Sequence, residues 1–208
     1  MDLGISASRA GRMREANADG EVRHPLARAD FTGIVERHER ELLAFLRGLV
    51  SEAELARDLL QDTFYDAWRA TKRGAEPFAL PLRQPDVRRW LFHAAYCRAI
   101  SARRHGRVLR WESLDQGDPE AYAVYGALVA FEDQVAEADA LGAALKGLAP
   151  EDVACLLLIV VQGFTAAAAA DIMGASTAAV AKRVARAKRR LLNAYLAQNA
   201  EHGKGGPA

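Results

Sequence analysis

The sequence has little cysteine and no long apolar run. Its 208 residues contain two cysteines, Cys97 and Cys155, and neither belongs to a CxxC pair. Disulfide scaffolds and four-cysteine zinc sites are therefore excluded. No apolar stretch approaches the roughly 18–20 residues that span a bilayer, and the first thirty residues lack the apolar segment of a signal peptide. We therefore expect a cytoplasmic protein whose fold depends on side-chain packing.

Signals for β-strands, for a phosphate-binding glycine loop and for a catalytic constellation are lacking as well. His93 and Cys97 lie one helical turn apart, but a zinc site needs about four ligands and the sequence offers no second pair. Cys155 lies among apolar residues and is expected in a core. The sequence thus predicts no enzyme, no metal site, no cofactor and no small-molecule substrate.

Charge is abundant and segregated, although the net charge is only +1. Residues 88–110 carry seven arginines and no acid, and residues 182–190 carry six basic residues and no acid. Residues 112–139, between them, carry eight acids and neither lysine nor arginine. This order indicates two surfaces for a polyanion, joined by a connector that the polyanion repels. Three solvated helix faces are the alternative that the charge pattern leaves open.

Apolar periodicity predicts three helices in the first half of the chain. The first reaches about Val50, and the second starts with Ser51 as N-cap and Glu54 at the capping-box position. Pro85 suits the first turn of the third helix, which reaches about Arg104. These helices are expected to form a bundle.

The second half is predicted to contain a helix-turn-helix. Pro150 opens a helix that Gly163 ends, Thr165 caps a short helix, Gly174 makes a turn, and Ser176 caps a long final helix. One side of the helix that begins at Pro150 is expected to face inward with Val153, Leu156, Leu157, Val160 and Val161. The final helix carries its basic residues opposite an apolar stripe, which is typical of DNA binding. An αα-hairpin with a solvated basic face is the alternative.

The predicted fold is therefore all-α, with two small helical domains. A bundle at 30–110 and a helix-turn-helix domain at 139–199 are joined by an acidic linker at 111–138. Residues 1–29 and 200–208 are expected to be flexible tails.

Residues 58–68 read DLLQDTFYDAW and resemble the D-L-V-Q-E-T-F-x-x-A-W segment of extracytoplasmic-function bacterial sigma factors. These are the smallest sigma factors, with only the second and fourth conserved regions, and the resemblance covers about residues 31–199. It implies that this helix docks on the clamp helices of the largest RNA polymerase subunit. The core polymerase contacts that the resemblance implies are Asp58, Gln61, Asp62 and Tyr65, and helical periodicity leaves these residues outward.

The stretch from Arg89-Trp90-Leu91-Phe92 to Arg103-Arg104 is similar to the family segment that binds and opens the minus-ten promoter element. Arginines that follow phosphates and aromatic faces that hold unstacked bases suit single-stranded DNA. The implied minus-ten contacts are Arg88, Arg89, Trp90, His93, Arg98, Arg103 and Arg104.

Two features of this stretch leave alternatives open. Trp90, Phe92 and Tyr96 are the largest apolar side chains of a small bundle, so packing in its core is the other interpretation for them. Cys97 stands where the family usually has asparagine, and Ser101 where it has aspartate.

The sequences LAPE at 148–151 and VAKRVARAK at 180–188 resemble the family's fourth region, which reads the minus-35 element. The implied contacts are Ser176, Thr177, Lys182, Arg183, Arg186, Arg189 and Arg190. Five alanines, Ala166–Ala170, replace a more polar scaffold helix, and Ala179 stands where threonine is usual. Specificity is then expected to depend on the final helix.

The resemblance implies a sigma factor that directs core RNA polymerase to promoters, contacts its clamp helices and flap region, and is controlled by an anti-sigma factor. The linker either threads a channel lined for nucleic acid or is a solvated tether, and either it or an anti-sigma partner is expected to cover the basic surfaces of the free protein. A sigma-like mimic that sequesters an anti-sigma factor without promoter activity is the alternative. The changes at Cys97, Ser101 and Ala166–Ala170 leave the mimic open, whereas the basic cluster at 182–190 and the segment Asp58–Trp68 oppose it.

Overall fold

The structure, a computed structural model, describes residues 28–50, 52–75, 77–78, 82–104 and 148–202. Within these ranges the regular elements are helical and no strand is present. The all-α prediction is confirmed.

Several predictions fall on other parts of the chain. The N-terminal tail, the linker at 111–138 and most of the predicted C-terminal tail lie outside the described residues. The final helix continues to His202, beyond the predicted domain end at 199. The predicted domain boundaries therefore stay predictions.

The first three helices form a bundle in which each helix packs on the other two. They are α1 (Arg28–Leu49), α2 (Ala53–Lys72) and α3 (Gln84–Arg104). Fully burying one large apolar side chain stabilises a fold by about 1.5–3 kcal/mol, and the apolar stripes of α1 and α3 supply several such residues. The fully buried ones include Leu42, Phe45, Leu46, Leu91 and Phe92.

The start of α2 differs from the prediction. Ser51 lies outside the described residues, and Glu52 is the N-cap, with no hydrogen bond from its side chain. The predicted capping box of Ser51 and Glu54 therefore stays a prediction. Val50 is buried, and its N–H donates to the carbonyl of Leu46 at 2.8 Å. The residue that directly follows α1 is thus both buried and hydrogen-bonded to the helix.

The second group of helices matches the predicted helix-turn-helix. It comprises α4 (Pro150–Leu156) with a π-helical turn at Leu157–Val161, α5 (Ala166–Met173) and α6 (Thr177–His202). The Thr165 hydroxyl accepts a hydrogen bond from the N–H of Ala168 at 3.1 Å, as expected for an N-cap.

The turn and the second cap are also confirmed. Gly174 adopts a left-handed φ of 61°, which favours glycine. The Ser176 hydroxyl accepts from the N–H of Ala179 at 3.1 Å. Local sequence signals thus set both ends of the turn between α5 and α6.

Val160 does not face inward as predicted. The π-helical turn pairs the N–H of Gln162 with the carbonyl of Leu157, five residues earlier. This wider turn rotates the end of the segment, leaving Val160 38% exposed while Leu157 and Leu158 are buried.

The two groups of helices share one hydrophobic core, because α5 packs on α3 and α4 packs on α1. Gly48 on α1 permits the close approach of α4: a Cβ atom there would lie 2.5 Å from Cδ1 of Leu157. Phe164, between α4 and α5, packs edge-on against Phe92 with ring centroids 5.0 Å apart. The second group therefore lies directly on α3, the helix implied in minus-ten binding.

None of the helices in the described part of the chain combines the length and the apolar character that crossing a membrane requires.

Candidate polymerase and DNA interfaces

The outward face of α2 carries the residues implied in polymerase binding. Asp58, Gln61, Asp62 and Tyr65 are all exposed, and Tyr65 is 59% exposed. The Arg69 guanidinium lies over the Tyr65 ring, 5.8 Å from its centroid. The opposite face of the helix is buried, so this surface combines negative charge with one exposed aromatic ring.

Arg98 lies with this surface, although the sequence groups it with DNA-binding residues. Its Nη1 donates to Oδ2 of Asp62 at 2.7 Å, and its Nε donates to Oδ2 of Asp66 at 2.8 Å. The structure thus brings Arg98 from α3 to the candidate polymerase face of α2.

Arg88 is the central polar contact between the two groups of helices. Its Nε donates to Oε2 of Glu41 at 2.9 Å, and its Nη2 donates to the Gln162 carbonyl at 3.0 Å. Its guanidinium lies 4.2 Å from the centroid of the Phe164 ring, a cation–π distance. One arginine therefore connects α1, α3 and the loop after α4.

Glu41 is the charged partner at this contact. Nδ1 of His38 donates to its Oε1 at 2.5 Å, and Arg88 donates to its other oxygen. Burial alone would raise the pKa of Glu41, but the hydrogen bonds from His38 and Arg88 outweigh it and hold the pKa below its ordinary value. Glu41 is therefore an ionised acceptor at neutral pH.

Two further minus-ten candidates also contact the second group. Arg89 pairs with Asp86 at 2.6 Å on its own helix and lies 3.6 Å from Asp171 of α5. Nδ1 of His93 donates to the carbonyl of Ile172 at 2.7 Å. In this arrangement Arg88, Arg89 and His93, three of the side chains predicted to hold DNA, are occupied by contacts with α5 and its preceding loop.

The aromatic residues of α3 are mainly packing residues. Phe92 and Tyr96 are buried. Trp90 is half-buried and packs edge-on against Phe78, with centroids 5.0 Å apart. Packing in the core, the alternative interpretation, therefore describes Phe92 and Tyr96 fully and Trp90 in part.

Two minus-ten candidates lie at the end of α3. Arg103 is half-buried, and its Nη1 donates to the carbonyl of Leu49 at 3.1 Å. Arg104 is exposed. Arg103 is therefore held by the end of α1, whereas His93 contacts the second group.

Most minus-35 candidates lie on the open side of α6. This exposed set comprises Ser176, Thr177, Lys182, Arg186, Arg189 and Arg190, and Arg183 is half-buried. Val180 and Ala187 face the core on the other side of the same helix. The basic residues are thus available to a nucleic acid on one face.

Arg186 also has a role inside the protein. It holds the carboxylate of Asp152 through two hydrogen bonds, Nε to Oδ2 at 3.0 Å and Nη2 to Oδ1 at 2.6 Å. Asp152 is 1% exposed. A buried carboxylate needs such a partner, so Arg186 joins α6 to α4.

Sequence reasoning missed Glu41, Asp152, Gln162 and Phe164, which hold the candidate DNA-binding residues. The candidate DNA-binding residues that Asp152, Glu41 and Gln162 hold lie 34, 47 and 74 residues away along the chain, and periodicity within one helix carries no signal for such pairs. For Asp152 the sequence did carry one local signal, because it lies in the first turn of a helix, where a carboxylate is favoured.

Within the described ranges, no group of three or more histidine, cysteine, aspartate or glutamate side chains is arranged to hold a metal ion. Cys155 is fully buried, as predicted, with its Sγ 3.4 Å from Sδ of Met173. Burial raises the pKa of this thiol to about 11.

Two family descriptions match the chain, one on each group of helices. Sigma-70 region 2 matches residues 34–80, and Sigma-70, region 4 matches residues 138–191. No curated protein sequence matches significantly.

Solved structures give the same assignment of fold. The sigma factor RpoE of Bartonella quintana, in complex with the anti-sigma factor NepR, is 27% identical with a TM-score of 0.58, over 79% of this chain and 96% of that one. CnrH, in complex with the cytosolic domain of CnrY, is 22% identical with a TM-score of 0.54, over 80% of this chain and 88% of that one. The second likeness supports the fold alone.

Proposed function

The chain belongs to the sigma-70 family, with the pair of regions typical of extracytoplasmic-function sigma factors, and on this premise we propose which of its surfaces binds which partner. It binds core RNA polymerase and promoter DNA in transcription initiation. The observation that carries this function is the match of region 2 to the first group of helices and of region 4 to the second. The family consists of transcription regulators, not known enzymes, that act in the cytoplasm, where we place this chain.

The polymerase surface is the outward face of α2. Its exposed carboxylates, Asp58 and Asp62, supply charge, and Gln61 and Tyr65 supply hydrogen bonds and an aromatic contact. Exposed aromatic residues within a polar surface are favoured at protein interfaces. We assign this face to the clamp helices of the largest subunit, and region 4 to the flap region.

The DNA surfaces are the candidate face of α3 and the basic face of α6. Arg88, Arg89 and His93 contact the second group of helices in the structure. The same side chains cannot also hold the minus-ten element, so promoter opening requires α5 and its preceding loop to leave α3. The exposed basic residues of α6 need no such change.

An anti-sigma factor is the proposed regulator. The two solved structures described above are complexes, one with an anti-sigma factor and one with the cytosolic domain of CnrY. A partner that favours the closed packing of the two groups would keep α3 covered, because ligands shift a conformational equilibrium only through differential binding.

Runoff transcription tests the proposed function. The full chain is added to core RNA polymerase on a set of promoter-containing DNA fragments from its own genome, and core binding is measured separately. We expect core binding together with transcription from specific start sites. A sigma-like mimic that sequesters an anti-sigma factor is the second candidate, favoured by the covered face of α3, and it predicts no transcription from any fragment.

A matched pair of variants separates these outcomes from misfolding. Asp62→Asn removes one exposed charge of the polymerase face, whereas Glu54→Gln removes an exposed charge from the first turn of the same helix. Asp62→Asn is expected to reduce both core binding and transcription, and Glu54→Gln to leave both unchanged. Equal effects of the two variants would oppose this assignment of the surface.

A further inference from the structure

Three groups lie in a row where α3 meets α5. Sγ of Cys97 lies 3.7 Å from Nε2 of His93, and Nδ1 of the same imidazole lies 2.7 Å from the carbonyl oxygen of Ile172. Cys97 and His93 are one turn apart on α3, whereas Ile172 belongs to α5. A thiol, an imidazole and a fixed acceptor are therefore aligned across the contact between the two groups of helices.

The Ile172 carbonyl determines which nitrogen of His93 carries a proton. A carbonyl oxygen only accepts, so Nδ1 must be the donor. In the neutral ring Nε2 then has a free lone pair and faces the thiol of Cys97. This is the arrangement of an activated nucleophile, in which a base faces the thiol and a third group orients the base.

The electrostatics of His93 agree with this geometry. The hydrogen bond with Cys97 raises the pKa of His93, burial opposes the rise, and the Ile172 carbonyl adds to it. Transfer of the thiol proton to Nε2 gives a thiolate and an imidazolium, and both N–H groups of the imidazolium then have an acceptor.

The two cysteines differ in access as well as in partners. Cys97 is partly buried at the edge of the core, whereas Cys155 is fully buried beside Met173. Cys155 therefore serves as an internal control for the reactivity of Cys97.

We infer that Cys97 is a modification site, a thiol activated by His93 that reacts with hydroperoxides. The sulfur attacks one peroxide oxygen and the O–O bond breaks, so the thiol is oxidised to a sulfenic acid and the peroxide is reduced. The proton held on Nε2 of His93 passes to the leaving hydroxide, which departs as water. The overall change, one thiol and one hydrogen peroxide to one sulfenic acid and one water, is balanced.

The test uses the full chain with hydrogen peroxide at neutral pH. Dimedone traps the sulfenic acid, and mass spectrometry measures its formation at each cysteine. We expect labelling at Cys97 well before Cys155, loss of this label in Cys97→Ser, and an unchanged rate in Cys155→Ser. These reactions need neither polymerase nor DNA, so their outcome is independent of the proposed function.

His93→Gln tests the role of the imidazole. The glutamine amide can still donate to the Ile172 carbonyl but cannot take the thiol proton. The thiol proton then has no base in contact with it, so we expect the rate of Cys97 labelling at neutral pH to fall roughly tenfold or more. Circular dichroism and small-angle scattering check that the variant keeps the closed fold.

Three results would overturn the inference. They are equal Cys97 rates in the wild type and in a folded His93→Gln variant, equal labelling of Cys97 and Cys155, and no sulfenic acid at Cys97.

Discussion

The guanidinium of Arg98 on α3 donates from Nη1 to Oδ2 of Asp62 on α2, with 2.7 Å between the atoms. Arg98 also holds Asp66 through Nε at 2.8 Å. An arginine that motif matching assigns to DNA thus orients a carboxylate of the candidate polymerase face. The ion pair with Asp62 is largely exposed, so its contribution to stability is small. The ion pair nevertheless joins α3, which carries the minus-ten candidates, to the candidate polymerase face of α2.

Replacing Arg98 with alanine should weaken polymerase binding. Asp62 loses its partner and its fixed orientation, and exposed pairs contribute below about 1 kcal/mol, so core affinity should fall roughly two- to fivefold. A binding titration with core polymerase measures this. Arg104→Ala, an exposed arginine at the end of the same helix, should leave core affinity unchanged. A lower salt slope of DNA binding with unchanged core affinity would instead make Arg98 a DNA contact.

Glu41 should make stability depend on pH in the acidic range. Its folded-state pKa lies below the ordinary value of 4.5, so its carboxylate stabilises the fold fully above that value. The contribution is lost as pH falls through the folded-state pKa. Urea unfolding should show a constant difference between the wild type and Glu41→Gln at pH above about 5, which shrinks below 4.5.

Glu39→Gln is the control for this pH dependence, because Glu39 is an exposed carboxylate on the same helix. Its difference from the wild type should change little over the same range. A difference for Glu41→Gln that persists unchanged at pH about 3 would show that Glu41 does not titrate with folding.

Arg186→Ala should lower the thermal stability of the protein. The change leaves the buried Asp152 carboxylate without its two hydrogen bonds, and an unpaired buried charge is strongly destabilising. Calorimetry should show a fall of several degrees in Tm. Arg190→Ala, one turn further along the exposed face of α6, should keep the wild-type Tm. Equal Tm values for the two variants would show that Asp152 does not depend on Arg186.

Features within one helix or one turn were the ones that sequence reasoning could predict. The outward position of Asp62 follows from the helical period, and the caps at Thr165 and Ser176 follow from the hydrogen-bonding capacity of their hydroxyls. Each of these depends on residues fewer than about five positions apart, where backbone geometry alone fixes what meets.

The contacts between the two groups of helices could not be predicted in this way. Arg88 meets Gln162 across 74 residues, and Arg186 meets Asp152 across 34. Such pairs depend on how whole helices dock. The same reasoning that placed Arg186 on a basic face therefore gave no sign of its buried partner. The expected cover for the basic surfaces was the linker or a partner protein, whereas on α3 it is the second group of helices itself.

Salt dependence should identify the DNA contacts on α6. Arg189 is exposed on the basic face, and each phosphate contact releases about one counterion. Arg189→Gln in the full chain should therefore lower the log–log salt slope of duplex binding by about one. Arg73→Gln changes an exposed charge beyond the end of α2 and should keep the wild-type slope. The same slope in all three proteins would place the DNA elsewhere.

Gly48→Ala should shift the protein away from the closed packing of its two groups of helices. The new Cβ atom would lie 2.5 Å from Cδ1 of Leu157, a fully buried side chain of the second group. Overpacking of this kind costs about 1–3 kcal/mol, and separating α4 from α1 relieves it. We expect a lower unfolding free energy and, by small-angle scattering, a larger radius of gyration.

Two further variants make this last prediction specific. Gly33→Ala adds the same methyl group on α1 where no atom lies within 4 Å, so it should leave the radius unchanged. Adding Leu157→Ala to Gly48→Ala removes the atoms that clash, so the double variant should recover a smaller radius than Gly48→Ala alone. Because the two residues contact each other, their effects should be non-additive in this direction. Equal radii for Gly48→Ala and Gly33→Ala would mean that the close approach of α1 and α4 does not hold the two groups together.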